Sequence, residues 1–143
     1  MKPIKSYICG CTYNVEPYLE KVLKNIQHLS EIFDDYYIIF SHDDSEDNTL
    51  TLLENFMMEH PGKMKIVKGN KQLGDIRTQN IANARNKILY TIKELGFQDF
   101  DYFIMMDMDD VNAGKMNLPV INTFIDSERN EEPLPWDSLS FNR

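Results

Sequence analysis

A short apolar run, residues 102–106 (Tyr-Phe-Ile-Met-Met), stops at three carboxylates, Asp107, Asp109 and Asp110. The run is short, aromatic and branched, as a buried strand is. Asp disfavours strands and is expensive to bury unpaired, so the strand must end where the acids begin. In an open α/β sheet the carboxyl ends of the strands are where ligands bind. Asp107 and Asp109 are two residues apart and share one side of an extended chain. Hard oxygen donors so placed suit Mg²⁺ or Mn²⁺, with phosphate oxygens completing the shell. The competing reading is a solvated turn or a helix N-cap.

The rest of the chain alternates around this strand. Residues 6–12 form a first expected strand. Pro17 then opens a helix in which Leu19, Val22, Leu23, Ile26 and Leu29 recur at helical spacing. Residues 35–41 form a second strand that runs into His42-Asp43-Asp44-Ser45-Glu46-Asp47-Asn48-Thr49. Ser45 or Asp47 can cap the next helix, whose apolar face is Leu50, Leu53, Phe56 and Met57. Pro61-Gly62 breaks that helix, and residues 64–67 are a short third strand before a 69–74 loop. A long helix is expected over about 78–95, stopped by Gly96. Beyond Gly114 come a helix at 118–125, a polar run at 126–132 and a further strand at 136–141. Strands buried on both faces, alternating with helices, predict a doubly wound parallel sheet in one domain.

Composition narrows the function. The 143 residues carry a net charge of −8, which disfavours nonspecific binding to nucleic acid or anionic membrane. With 42% hydrophobic and 27% charged residues the chain is globular. No apolar run nears the roughly 18 residues of a membrane span, and no signal peptide is supported. Cys9 and Cys11, at i and i+2 of a strand, read as core thiols in a reducing compartment, so the expected location is cytoplasmic.

Two further features bear on a ligand. On a helical wheel Arg77 and Arg85 fall within the arc of Ile81, Ile88, Leu89, Ile92 and Leu95. A guanidinium facing the sheet needs an anion, either a core carboxylate or a diphosphate at the sheet's edge, unless it snorkels to water. The acids Asp43 and Asp44 also follow a buried strand, as Asp107 does. Such an Asp can accept from a base N–H or from ribose hydroxyls, or the turn can serve only to cap a helix. Neither a G-x-G-x-x-G nor a P-loop motif is present, which counts against a dinucleotide oxidoreductase and a P-loop NTPase.

Together these residues resemble the nucleotide-binding half of a GT-A glycosyltransferase, most like the large family-2 type. Thr12-Tyr13-Asn14-Val15-Glu16 is similar to that family's opening Tyr-Asn-x-Glu turn. Residues 42–49 are similar to its Asp-Asp-Gly-Ser-x-Asp-Asn-Thr motif, Ala84-Arg85-Asn86 to its Ala-Arg-Asn helix, and Asp107-Met108-Asp109 to its Asp-x-Asp motif. The order and spacing hold over residues 6–111. The resemblance implies a Rossmann-like parallel or mixed sheet flanked by helices. It also implies a metal-dependent transferase acting on a nucleotide-diphosphate sugar, UDP- or GDP-linked, with a glycan or protein acceptor. Asp43 would hold the base, while Thr12, Asn14 and Glu16 line base and ribose. Asp107 would face ribose and metal, Asp109 would ligate Mn²⁺ or Mg²⁺, and Arg77 or Arg85 would neutralise phosphates.

The chain departs from the pattern at His42, which stands for the motif's first Asp, and at Asp44, which stands for its Gly. Only 34 residues follow Asp109, whereas family members continue into an acceptor-binding region. Residues 1–143 therefore read as a single GT-A domain truncated after the Asp-x-Asp strand, part of a longer protein. Asp137 is the one late candidate base. The alternative function is a non-catalytic nucleotide-sugar-binding module. A nucleotidyltransferase would call for a Gly-rich loop after the first strand, where Gly10 stands alone.

Overall fold

The computed structural model describes residues 1–69, 76–96 and 99–132, with Leu134, Pro135 and Ser138. Strand and helix alternate from β1 (Lys5–Thr12) through α1 (Glu16–Ser30), β2 (Asp35–His42), α2 (Thr49–Glu59) and β3 (Met64–Lys68). Then come α3 (Arg77–Leu95) and β4 (Tyr102–Asp107), a 3-10 turn (Asp110–Asn112) and α4 (Leu118–Arg129). Pro17 lies in the first turn of α1, where its missing N–H costs nothing. Gly96 closes α3 in the left-handed conformation at φ 66°. The strand expected at 136–141, with Asp137, and most of the expected 69–74 loop lie outside the described residues.

The sheet is wholly parallel in the order β3-β2-β1-β4. The chain winds from β1 outward to β3, then α3 carries it back across to the far side of β1. Right-handed crossovers therefore put α3 on the face opposite α1 and α2. Ile4, Ile8, Ile38 and Phe40 pack with Leu19, Val22, Ile26 and Leu53 on one face, with Ile125 of α4 joining them. Tyr7, Cys9 and Ile39 pack with Ile88 on the other. Each fully buried aliphatic side chain contributes about 1.5–3 kcal/mol.

Several expectations are corrected in detail. Leu50 and Leu89 are exposed at 37% and 45%, and Thr49 and Thr91 take buried places on the same helices. The buried line of α3 is Asn80, Ala84, Ile88 and Thr91. Arg77 and Arg85 are exposed, so neither pays for burial against the sheet. Arg77 belongs to the helix's first turn, and Arg85 lies beside the buried line at Ala84. The helix expected at 118–125 runs four residues further, to Arg129. Among the described residues β4 lies at the sheet's edge and is not doubly buried, with Phe103 exposed at 44%.

Candidate functional site

The winding reverses between β1 and β4, and a cleft of about 390 Å³ opens at the carboxyl ends of these strands. That is where an open α/β sheet can admit a ligand between diverging loops. Cys11, Thr12, Tyr13 and Val15 line it from β1 and its turn, and Asp43 from the end of β2. Arg77, Asn80, Ile81, Ala84 and Arg85 line it from α3, and Met106, Asp107, Met108 and Asp109 from the end of β4. The structure thus brings Thr12, Asp43, Arg77, Arg85, Asp107 and Asp109 to one cleft. Asn14 and Glu16 lie outside its lining.

Asn14 and Glu16 instead zip the β1–α1 turn to the β2–α2 turn. Asn14 N–H donates to Ser45 Oγ at 3.0 Å, and Glu46 N–H donates to Asn14 Oδ1 at 2.8 Å. Glu16 accepts from Asn48 N–H at 3.0 Å and from Asn48 Nδ2 at 3.1 Å. Asp47 Oδ2 accepts from Glu16 N–H, and its Oδ1 from Thr49 N–H. Neither Ser45 nor Asp47, the two caps expected, sits at the N-cap of α2, which Asn48 occupies without a side-chain cap bond, although Asp47 does accept the first N–H of the helix. Thr12, 2% exposed, donates its hydroxyl to Ser41 O at 2.8 Å, so its side chain braces the sheet end. Asp44 adopts φ 32° where the family motif has glycine, a conformation that Asp tolerates better than most residues.

His42 is 5% exposed, and its Nε2 accepts the Ser45 N–H at 3.2 Å, which places the ring proton on Nδ1. Burial holds its pKa below the ordinary value of 6.5, against the pull of Asp43, Asp44, Asp47 and Glu54. Asp43 is 9% exposed. Burial raises its carboxyl above the usual range, opposed by Lys87. An acceptor carboxylate held partly out of water is thus available to a donor group entering the cleft.

At the other end, Cys11 pairs in register with Asp107, and so Asp107 projects on the α3 face of the sheet. There Arg85 Nη2 meets Asp107 Oδ1 at 3.3 Å. Both partners are about half exposed, which leaves the pair weak and exchangeable. Met108, between the two acids, is 2% exposed and turns the other way, onto Gly10 of β1. Asp109 Oδ1 accepts from Val111 N–H at 3.2 Å and caps the 3-10 turn. Asn112 Nδ2 donates to Asp107 O at 2.7 Å, and Asn25 of α1 donates to Asn112 O and Gly114 O. The Asn25 and Asn112 ties were not foreseen from the sequence. Gly10 inside a strand did carry a signal, because isolated strand glycines mark close approaches.

Carboxylate oxygens from Asp107 and Asp109 fit a hard divalent cation. Among the described residues no group of three or more His, Cys, Asp or Glu could enclose one. A cation here would share its shell with water and ligand phosphates, as Mg²⁺ sites do.

A parallel, doubly wound domain with acids, arginines and a cleft at its switch point belongs to the class of α/β domains built to hold a charged ligand at the sheet's carboxyl edge. Residues 7–130 match the family model of Glycosyl transferase family 2, and the chain belongs to that family. The match extends through α4, beyond the motifs quoted above. The chain is 30% identical over 100 residues to the dTDP-rhamnosyl transferase RfbG of Shigella flexneri, covering 70% of this chain and 31% of that protein. It therefore spans about a third of the length of that relative. The mannosyltransferase PcManGT from Pyrobaculum calidifontis, solved in complex with GDP-Man and Mn²⁺, is similar at 23% identity and a TM-score of 0.46. That likeness covers 64% of this chain and 25% of the mannosyltransferase. Among the described residues no helix is long and apolar enough to cross a membrane.

Proposed function

We propose that this chain is the donor-binding domain of a glycosyltransferase and holds a nucleotide-diphosphate sugar in the β1/β4 cleft. The observation that carries this reading is the convergence of Asp43, Asp107, Asp109, Arg77 and Arg85 on one cleft at the switch point of a family-2 chain. In this reading Asp43 accepts from the base and the exposed Tyr13 ring flanks it. Arg85, already paired loosely with Asp107, exchanges that carboxylate for diphosphate oxygens, and Arg77 reaches them from the first turn of α3. Asp107 and Asp109 are the residues that would hold Mn²⁺ or Mg²⁺ here. The cation would supply charge neutralisation for the departing nucleoside diphosphate. The relative named for dTDP-rhamnose transfer supports a nucleotide-sugar donor. The acceptor is a glycan or protein, and the unpaired thiols Cys9 and Cys11 suit the cytoplasm.

Calorimetry and thermal shift with UDP-, GDP- and dTDP-sugars, each with and without Mn²⁺, test the reading. A ligand bound only by the native state raises the midpoint by about 2.7 kcal/mol of stability at 100 times its Kd. The expected outcome is a shift for one base class that needs Mn²⁺ or Mg²⁺. No shift for any donor would reject the function.

A further inference from the structure

We propose that Gly69 is a positioning residue for donor recognition: by carrying no side chain it leaves the volume that the Asp43 carboxylate occupies. The proposal rests on the reading of Asp43 as the base-recognising group. It adds a residue that lies outside the cleft lining and acts through Asp43.

The geometry is specific. β2 pairs with β3 up to His42 opposite Lys68, and Gly69 follows directly after that pair. Its N–H donates to His42 O at 2.7 Å. A Cβ built on Gly69 would fall on Asp43 Oδ1, 2.8 Å from its Cγ and 3.0 Å from His42 O. Gly62 and Gly96 have positive φ, but Gly69 does not. A side chain at position 69 is thus excluded by the neighbouring carboxylate and not by the backbone conformation.

What gives way in a Gly69→Ala chain follows from stiffness. Each backbone is tied just beyond a strand end, Asp43 N–H to Thr12 O and Gly69 N–H to His42 O. The Asp43 carboxylate is the free end of a side chain with one carbon to rotate about. It therefore swings out of its seat while the fold stays. Burial opposes its charge in that seat, and Lys87 attracts it. A displaced carboxylate gains water and loses its aim at the base.

The test is a cycle of wild type, Gly69→Ala, Asp43→Ala and the double variant. Calorimetry in Mn²⁺ measures UDP, GDP and dTDP, with inorganic pyrophosphate as the base-free probe. Gly69→Ala should weaken the best-bound nucleoside diphosphate roughly tenfold, the scale of one hydrogen bond to a charged group. Pyrophosphate binding should not change, and the double variant should bind no more weakly than Asp43→Ala. Carboxyl ¹³C titration without nucleotide should show the Asp43 pKa falling toward its ordinary value in Gly69→Ala. Full nucleotide affinity or an unmoved Asp43 titration in Gly69→Ala would overturn the proposal. So would an equal loss for pyrophosphate, or a Gly69→Ala loss that persists without Asp43. Unchanged nucleotide binding by Asp43→Ala would instead reject the base-recognition role, and the proposal with it. Wild type that binds no nucleoside diphosphate would reject both. Should Gly69→Ala unfold the chain, recovery of the fold in the double variant supports the shared volume, and failure to recover overturns it.

Discussion

Met108 and Asp43 show how single residues set the cleft. Met108 seats on Gly10, where an added Cβ would meet its Cγ at 2.5 Å and Met106 O at 3.3 Å. Gly10→Ala should destabilise the chain by about 1–3 kcal/mol through overpacking. It should also weaken the metal dependence of nucleotide binding, since Met108 anchors the chain between Asp107 and Asp109. Urea unfolding and calorimetry of Gly10→Ala beside Gly10→Ala/Met108→Ala measure both, and the double variant should recover part of each loss. Asp109→Ala should abolish Mn²⁺-dependent binding and lose about 1 kcal/mol from the 3-10 cap. Unchanged metal dependence by calorimetry would show that Asp109 is not a ligand. For Asp43 the folded pKa lies above the unfolded one, so its contribution favours folding at low pH and is lost as pH rises through the folded value. Asp43→Asn should therefore raise the apo melting midpoint at neutral pH while weakening nucleotide binding. A midpoint that fell at neutral pH would contradict that sign.

At the scale of elements, the β1–α1 and β2–α2 turns act as one unit, stitched by Asn14, Glu16, Ser45 and Asp47. His42 anchors this unit as a neutral acceptor for Ser45 N–H. Its folded pKa lies below the ordinary 6.5. Its contribution is then present above pH 6.5 and lost as pH falls through the folded value. The melting midpoint of wild type should drop on acidification below 6.5, and His42→Gln should flatten that part of the profile. Equal pH slopes in the two proteins would remove His42 from the account. Glu16→Ala should lower the midpoint, by about 1 kcal/mol of stability for each of its two lost bonds, without touching the cleft lining.

For the molecule as a whole, the reversal of winding at β1 brings residues of α3 and of the end of β4 to one cleft. Residues far apart in sequence then act on one ligand. Arg85 and Asp107 are 22 residues apart, and Asn25 reaches Asn112 across 87. The Asn25 contact ties the acid-bearing loop to α1. Much of this was legible beforehand. The inner strands β1 and β2 were readable because parallel strands buried on two faces are largely apolar. The strand-end acids were readable because carboxylates cannot continue such runs.

The local chemistry of this chain thus determined which segments are strands, where they stop, and that acids stand at two of those stops. Those properties depend on neighbours within a few residues, through propensity, side-chain period and the expense of burying charge. The tertiary structure alone decided how α3 is rotated, which left Leu89 exposed and buried Asn80 and Thr91 instead. It alone decided that Asn14 and Glu16 tie turns outside the cleft lining, and that Gly69 lies under Asp43. Such facts depend on which strands pair and in what register. They follow from close packing over the whole core, and no local run of residues specifies that packing.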